Sequence, residues 1–130
     1  MEANYTVAFV KAGSPGYGSG LIFWGKDGRN WYDVITSVAG YSGIEHQING
    51  RFLMPVAWRP DDAIKKGEGA ENQVKVVTKG NQATIFINGK QVYIFTGQPP
   101  QGGSLVGFYG SSGPQGQNSF AFSNFKVLGP

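Results

Sequence analysis

The pair Asn88-Gly89 constrains this chain more than any other two residues. It joins two runs of β-branched, aromatic and aliphatic residues, 82–88 and 90–95, and Asn-Gly is the favoured centre of a type I′ hairpin because both positions need φ > 0. A β-hairpin is therefore predicted. After Thr96-Gly97, the segment Pro99-Pro100-Gln101-Gly102-Gly103 can neither extend a ladder nor start a helix, so a fresh strand is predicted over 105–109.

The same logic runs through the rest of the chain. Residues 3–11 are rich in β-formers, with Tyr5, Val7 and Phe9 on one face. Residues 13–20 resemble a phosphate loop but lack its Gly-Lys-Ser/Thr ending and lead into strand-like 21–24, so they read as a strand-to-strand loop. Strands follow over 31–38, where Tyr32, Val34 and Val38 form the core face, and over 42–49. A second Asn-Gly pair, Asn49-Gly50, closes a hairpin into 51–56 and completes a meander. Residues 58–67 carry Pro60 and two acids, which suits a loop with one helical turn. Strands at 73–78 and 119–128 complete about ten, the last one bulged near Asn124.

Composition agrees with this pattern. Twenty-one glycines alongside 9 Phe, 6 Tyr and 3 Trp describe a turn-rich all-β protein. A length of 130 residues fits one domain, 1–130, with a core large enough to stand without staples. There is no cysteine, so disulfides, thiolate metal sites and cysteine nucleophiles are excluded. The formal net charge is +3, but the cations are scattered, which argues against nucleic-acid binding. No apolar run approaches the roughly 20 residues of a membrane span. The expected architecture is an all-β, two-sheet antiparallel β-sandwich of jelly-roll type.

Several motifs carry a resemblance: GLIFW at 20–24, NWY at 30–32, GY at 40–41, NG at 49–50, NQVKV at 72–76, INGK at 87–90, GFY at 107–109 and FSNFKV at 122–127. In this order they resemble the concanavalin A-like lectin/glucanase sandwiches, most nearly the bacterial laminin-G-like branch that includes 3-keto-disaccharide hydrolase domains. The resemblance implies a curved sheet whose concave outer face binds sugars, in a secreted or periplasmic bacterial protein whose leader lies outside this sequence. Members are usually longer at the N-terminus, which makes an exposed sheet edge a candidate homodimer surface. Members that cut β-glucans carry Glu-x-Asp-x-x-Glu on one strand, and this sequence has no such run.

Strand alternation selects the site residues. With Leu21, Phe23, Tyr32, Val34, Ile44 and Ile48 facing in, the outward set is Trp24, Trp31, Asp33, Glu45, Gln47 and Arg51, and Trp58 walls one end of the groove. Flat aromatics stack on sugar rings, while carboxylate, amide and guanidinium groups bond hydroxyls in pairs. His46, the sole histidine, falls on the inward face as a core or edge residue, and Asp61-Asp62 reads as a turn. No catalytic residue, metal ligand or cofactor is assigned. The function expected is non-catalytic, lectin-like carbohydrate binding. The alternatives are an enzyme acting on an oxidised disaccharide through Asp33, Glu45 or His46, and a structural or adhesive domain.

Overall fold

The computed structural model describes residues 1–14, 17–114 and 116–129. Pro15, in the first predicted loop, and Gln115, in the loop before the last strand, lie outside the described residues, as do Gly16 and Pro130. Ten strands form: β1 (Glu2–Lys11), β2 (Gly18–Asp27), β3 (Asn30–Ser37), β4 (Tyr41–Ile48), β5 (Arg51–Pro60), β6 (Glu71–Lys79), β7 (Gln82–Ile87), β8 (Lys90–Thr96), β9 (Leu105–Gly110) and β10 (Ser119–Leu128). They make two five-stranded antiparallel sheets, ordered β10-β1-β6-β7-β8 and β5-β4-β3-β2-β9. The fold is a jelly-roll β-sandwich, as the sequence predicts. The meander is β2 to β5, and β1 belongs to the opposite sheet.

Both Asn-Gly turns adopt the predicted conformation. Asn49 and Gly50 have φ of 51° and 83°, and Asn88 and Gly89 have 51° and 82°, the left-handed values that a type I′ turn requires. Asn124 has φ 54° at the register shift between β1 and β10, so the bulge falls where it was expected.

Alternation fills the space between the sheets. Tyr5, Val7 and Phe9 of β1, Val74 and Val76 of β6, and Ile85 and Ile87 of β7 face Leu21, Phe23, Val34 and Ile44 of the other sheet, all fully buried. Burying each such side chain contributes roughly 1.5–3 kcal/mol. Two loops are pinned to this body by asparagine side chains, the buried Asn72 and Asn118 and the turn residue Asn88. Asn72 accepts from the Lys65 amide at 2.8 Å and donates to Lys65 O at 3.0 Å, while Asn88 Nδ2 donates to Ala63 O at 2.7 Å. Asn118 accepts from the Gly13 and Ser14 amides and donates to Ser111 O, tying together the two loops beside β2 and β9.

One predicted loop is strand. β5 continues through Trp58 to Pro60, and residues 61–64 form turns rather than a helical turn. β5 is an edge strand, so Pro55 and Pro60 need not donate to a neighbour on the open side.

Candidate functional site

The outer face of the β5-β4-β3-β2-β9 sheet is assembled by register. On β3, Trp31, Asp33 and Ile35 point outward, and their partners on β4 are Gln47, Glu45 and Gly43. The Asn49-Gly50 turn pairs Ile48 with Arg51 and Gln47 with Phe52, which puts Phe52 on this face. On the other side, β9 pairs Tyr109 with Gly20. A Cβ at Gly20 would lie 2.4 Å from Cε1 of Tyr109 and 2.9 Å from Asp33 Oδ2, so only glycine lets the tyrosine lie across β2 toward β3.

A groove of about 290 Å³ results, lined by Tyr17, Ile35, Glu45, Phe52, Trp58, Tyr109 and Ser111. At its β3 end the Trp31 ring lies 6.2 Å from both Phe52 and Tyr109, centroid to centroid. Gln47, beside Trp31, keeps a buried side-chain oxygen with no hydrogen-bond donor among the described residues.

Beneath the aromatics sits a small polar cluster. Asp33 is fully buried, and its Oδ1 accepts the indole N–H of Trp31 at 3.1 Å. Tyr109 Oη lies 3.2 Å from Asp33 Oδ2 and also contacts Glu45 Oε1. A phenol carries one proton and can donate to only one of these carboxyls; the other contact needs a proton on the carboxyl itself. Burial, and then the neighbouring Glu45, hold the Asp33 carboxyl well above the usual carboxylate range. Burial also raises the Tyr109 phenol, followed by Asp33 and Glu45, so it stays protonated. Asp33 thus holds its proton more tightly than an exposed carboxyl would, with the Tyr109 hydroxyl between it and Glu45.

The predicted residues separate into two groups. Trp31, Asp33, Glu45 and Gln47 share the outer face, and Trp58 lines the groove from β5. Trp24 does not. The β2 ladder shifts register after Ile22 and Phe23, and Trp24 takes φ 49° there, so Phe23 and Trp24 both turn inward and Trp24 is buried against Phe23, Tyr32 and Phe95. Arg51 also lies elsewhere. Its pairing with Ile48 puts it on the opposite face, beside Ile48, Asn49 and Leu53. Tyr109 and Phe52 are functional candidates that the sequence reading missed. Phe52 was accessible from the two-residue turn, which alone fixes its pairing with Gln47.

His46 follows its expected face but sits at the open end of the sandwich, stacked 3.7 Å from the Tyr32 ring, with burial lowering its imidazole below the ordinary range. It lines a second cleft with Trp24, Lys26, Trp31, Tyr32 and Gln98, so Trp31 stands between this cleft and the groove. A larger cleft of about 510 Å³, between the ends of β5 and β8, is lined by Arg59, Asp61, Asp62 and Lys90 and holds no aromatic ring. The groove over Asp33 combines the stacking surfaces of Phe52, Trp58 and Tyr109 with the carboxyl of Glu45 and the buried Asp33 behind it.

The sequence matches no protein-family model and no curated protein. The fold, by contrast, matches solved structures across nearly the whole chain. The carbohydrate binding module CBM66 from Bacillus subtilis superposes with a TM-score of 0.72 at 14% identity, covering 95% of this chain and 71% of that one. Sheep galectin-11, in complex with glycerol, gives 0.67 at 12% identity, covering 98% and 88%. The β-glucanase of Bacillus licheniformis gives 0.61 at 13% identity, covering 95% and 63%. All three are concanavalin A-like or jelly-roll sandwiches, and at these identities the likeness establishes the fold alone.

Proposed function

We propose that this chain is a non-catalytic, lectin-like carbohydrate-binding domain that holds a glycan in the groove bounded by Trp31, Phe52, Trp58 and Tyr109. The observation that carries this reading is the cluster itself: the rings of Phe52, Trp58 and Tyr109 line the groove around Glu45, whose carboxyl is the acceptor offered to sugar hydroxyls, and Trp31 packs against Phe52 and Tyr109. That a carbohydrate binding module and a galectin share the fold supports it. Bacterial origin, export and a place on the laminin-G-like branch belong to the same proposal, resting on the motifs quoted above.

The carboxyl geometry favours binding over hydrolysis. Retaining glycosidases hold their two carboxyls about 5–5.5 Å apart and inverting ones about 6.5–9.5 Å, with water or substrate between them. Here Asp33 is fully buried, and Asp33 and Glu45 both rest on one phenol oxygen, which takes the place of water or substrate between them. His46 lies on the other face of the sheet and cannot assist.

The test is retention on a glycan array of the wild type and of Trp31→Ala. Removing the ring is expected to lower affinity at least tenfold, with an unchanged circular dichroism spectrum. Equal retention of both proteins would overturn the reading.

A further inference from the structure

The sugar-binding reading can be taken one step further, from where the charges lie. The chain carries a formal net charge of +3, yet no lysine or arginine lines the groove among the described residues. The arginines around the same sheet are occupied or turned away. Arg29 donates to Asn49 O at the hairpin end, Arg51 projects from the opposite face, and Arg59 lies 4.2 Å over the Tyr93 ring and donates to Val92 O. What the groove does present is the Glu45 carboxyl on its lining, backed by the buried Asp33 through the Tyr109 hydroxyl.

We infer that the groove selects uncharged saccharides and excludes glycans that carry carboxylate or sulfate groups. An anionic substituent seated beside Glu45 meets a carboxylate with no cation among the described residues that line the groove, Lys26 lying on the adjoining cleft beyond Trp31. Two unit charges about 6 Å apart at an intermediate effective dielectric repel strongly enough to weaken binding about tenfold. Hydroxyl groups, in contrast, donate to the Glu45 carboxyl on the lining without a charge penalty. The preference runs against the overall field of the protein, since a net positive charge by itself draws polyanions toward the surface. Retention governed by net charge and retention governed by the groove therefore give opposite orders.

The experiment is affinity electrophoresis of the whole chain at neutral pH and low salt in gels containing dextran, galactomannan or xylan, each beside the carboxymethylated form of the same polymer. The expected result is that the polymer that retards the wild type does so about tenfold more strongly than its carboxymethylated form. Glu45→Gln is expected to bring that ratio close to one. Raising the salt to about 0.5 M, where the screening length falls to a few ångströms, is expected to narrow it in the wild type as well. Equal or stronger retention by the acidic polymer overturns the inference while leaving sugar binding in place, as does a ratio that neither Glu45→Gln nor salt changes. If Glu45→Gln does not fold, the salt series on the wild type decides alone. Retardation by none of the polymers or their derivatives overturns the sugar-binding reading and this inference together.

Discussion

Replacing Gly20 by alanine places a methyl carbon 2.4 Å from Cε1 of Tyr109 and 2.9 Å from Asp33 Oδ2. Carbon atoms settle at about 3.5–4 Å, so the tyrosine ring must retreat by about 1 Å or more. The only open direction is outward, into the groove. Overpacking of this kind costs about 1–3 kcal/mol, while removing a glycine from a strand interior returns roughly 0.5–1 kcal/mol. A net loss of about 0.5–2 kcal/mol follows, equivalent to a fall of about 2–8 °C in the thermal midpoint. The effect on binding should be larger than the effect on stability, because the displaced ring withdraws from Glu45 and fills the space a ligand needs. Gly107→Ala is the control: its Cβ, on the neighbouring strand, would meet only Ile22 Cδ1, at 3.9 Å. Thermal denaturation and glycan retention of the two variants form the assay. A Gly20→Ala protein that binds glycan as tightly as Gly107→Ala would refute the placement of Tyr109 in the site.

Further expectations concern pH and the scaffold. The folded state holds a proton on Asp33 that the unfolded chain releases above about pH 4, so stability falls as pH rises from there toward the raised Asp33 value. Asp33→Asn should abolish that decline in thermal midpoints taken across pH, and an unchanged slope would count against the raised Asp33 carboxyl. His46 contributes in the opposite sense, since its lowered imidazole makes stability rise with pH through the range below about 6.5; His46→Gln isolates the carboxyl effect. Asn88→Ala loses the bonds to Ala63 O and Asn72 Oδ1 and forces alanine to φ 51°, for an expected cost of about 2–4 kcal/mol in urea denaturation. Ile85→Ala, fully buried between the sheets, should cost about 2–5 kcal/mol in the same measurement and leave glycan specificity unaltered in the folded fraction.

The fold was legible because it rests on local rules. Asn-Gly turns dictate φ > 0, and alternation in β1, β6 and β7 separates the buried face from the open one without reference to distant residues. The site was half legible for the same reason: Trp31, Asp33, Glu45 and Gln47 follow from alternation. Arg51 shows a local rule left unused, because the two-residue turn that pairs it with Ile48 already assigns its face. Trp24 shows where local rules end. A tryptophan at positive φ inside a bulge carries no sequence signal, and its inward turn is set by contacts with Tyr32 and Phe95, the latter far along the chain. Tyr109 could not be read either, since its place over Gly20 depends on β9 pairing with β2 across more than eighty residues.

The central claim is that sugar contacts fall on the outer face at Trp31 and Tyr109, and nuclear magnetic resonance of the ¹⁵N-labelled chain tests it most directly. The Trp31 indole N–H, bonded to Asp33, gives a signal inside the site, whereas the buried Trp24 indole lies in the core and serves as an internal reference. Titration with the glycan identified on the array should move the Trp31 indole signal and the backbone amides of Glu45, Gln47 and Tyr109, leaving Trp24 and the β6–β7 ladder in place. Shifts confined to the cleft around Arg59 and Lys90, or to the β10 edge, with Trp31 unmoved, would contradict the account.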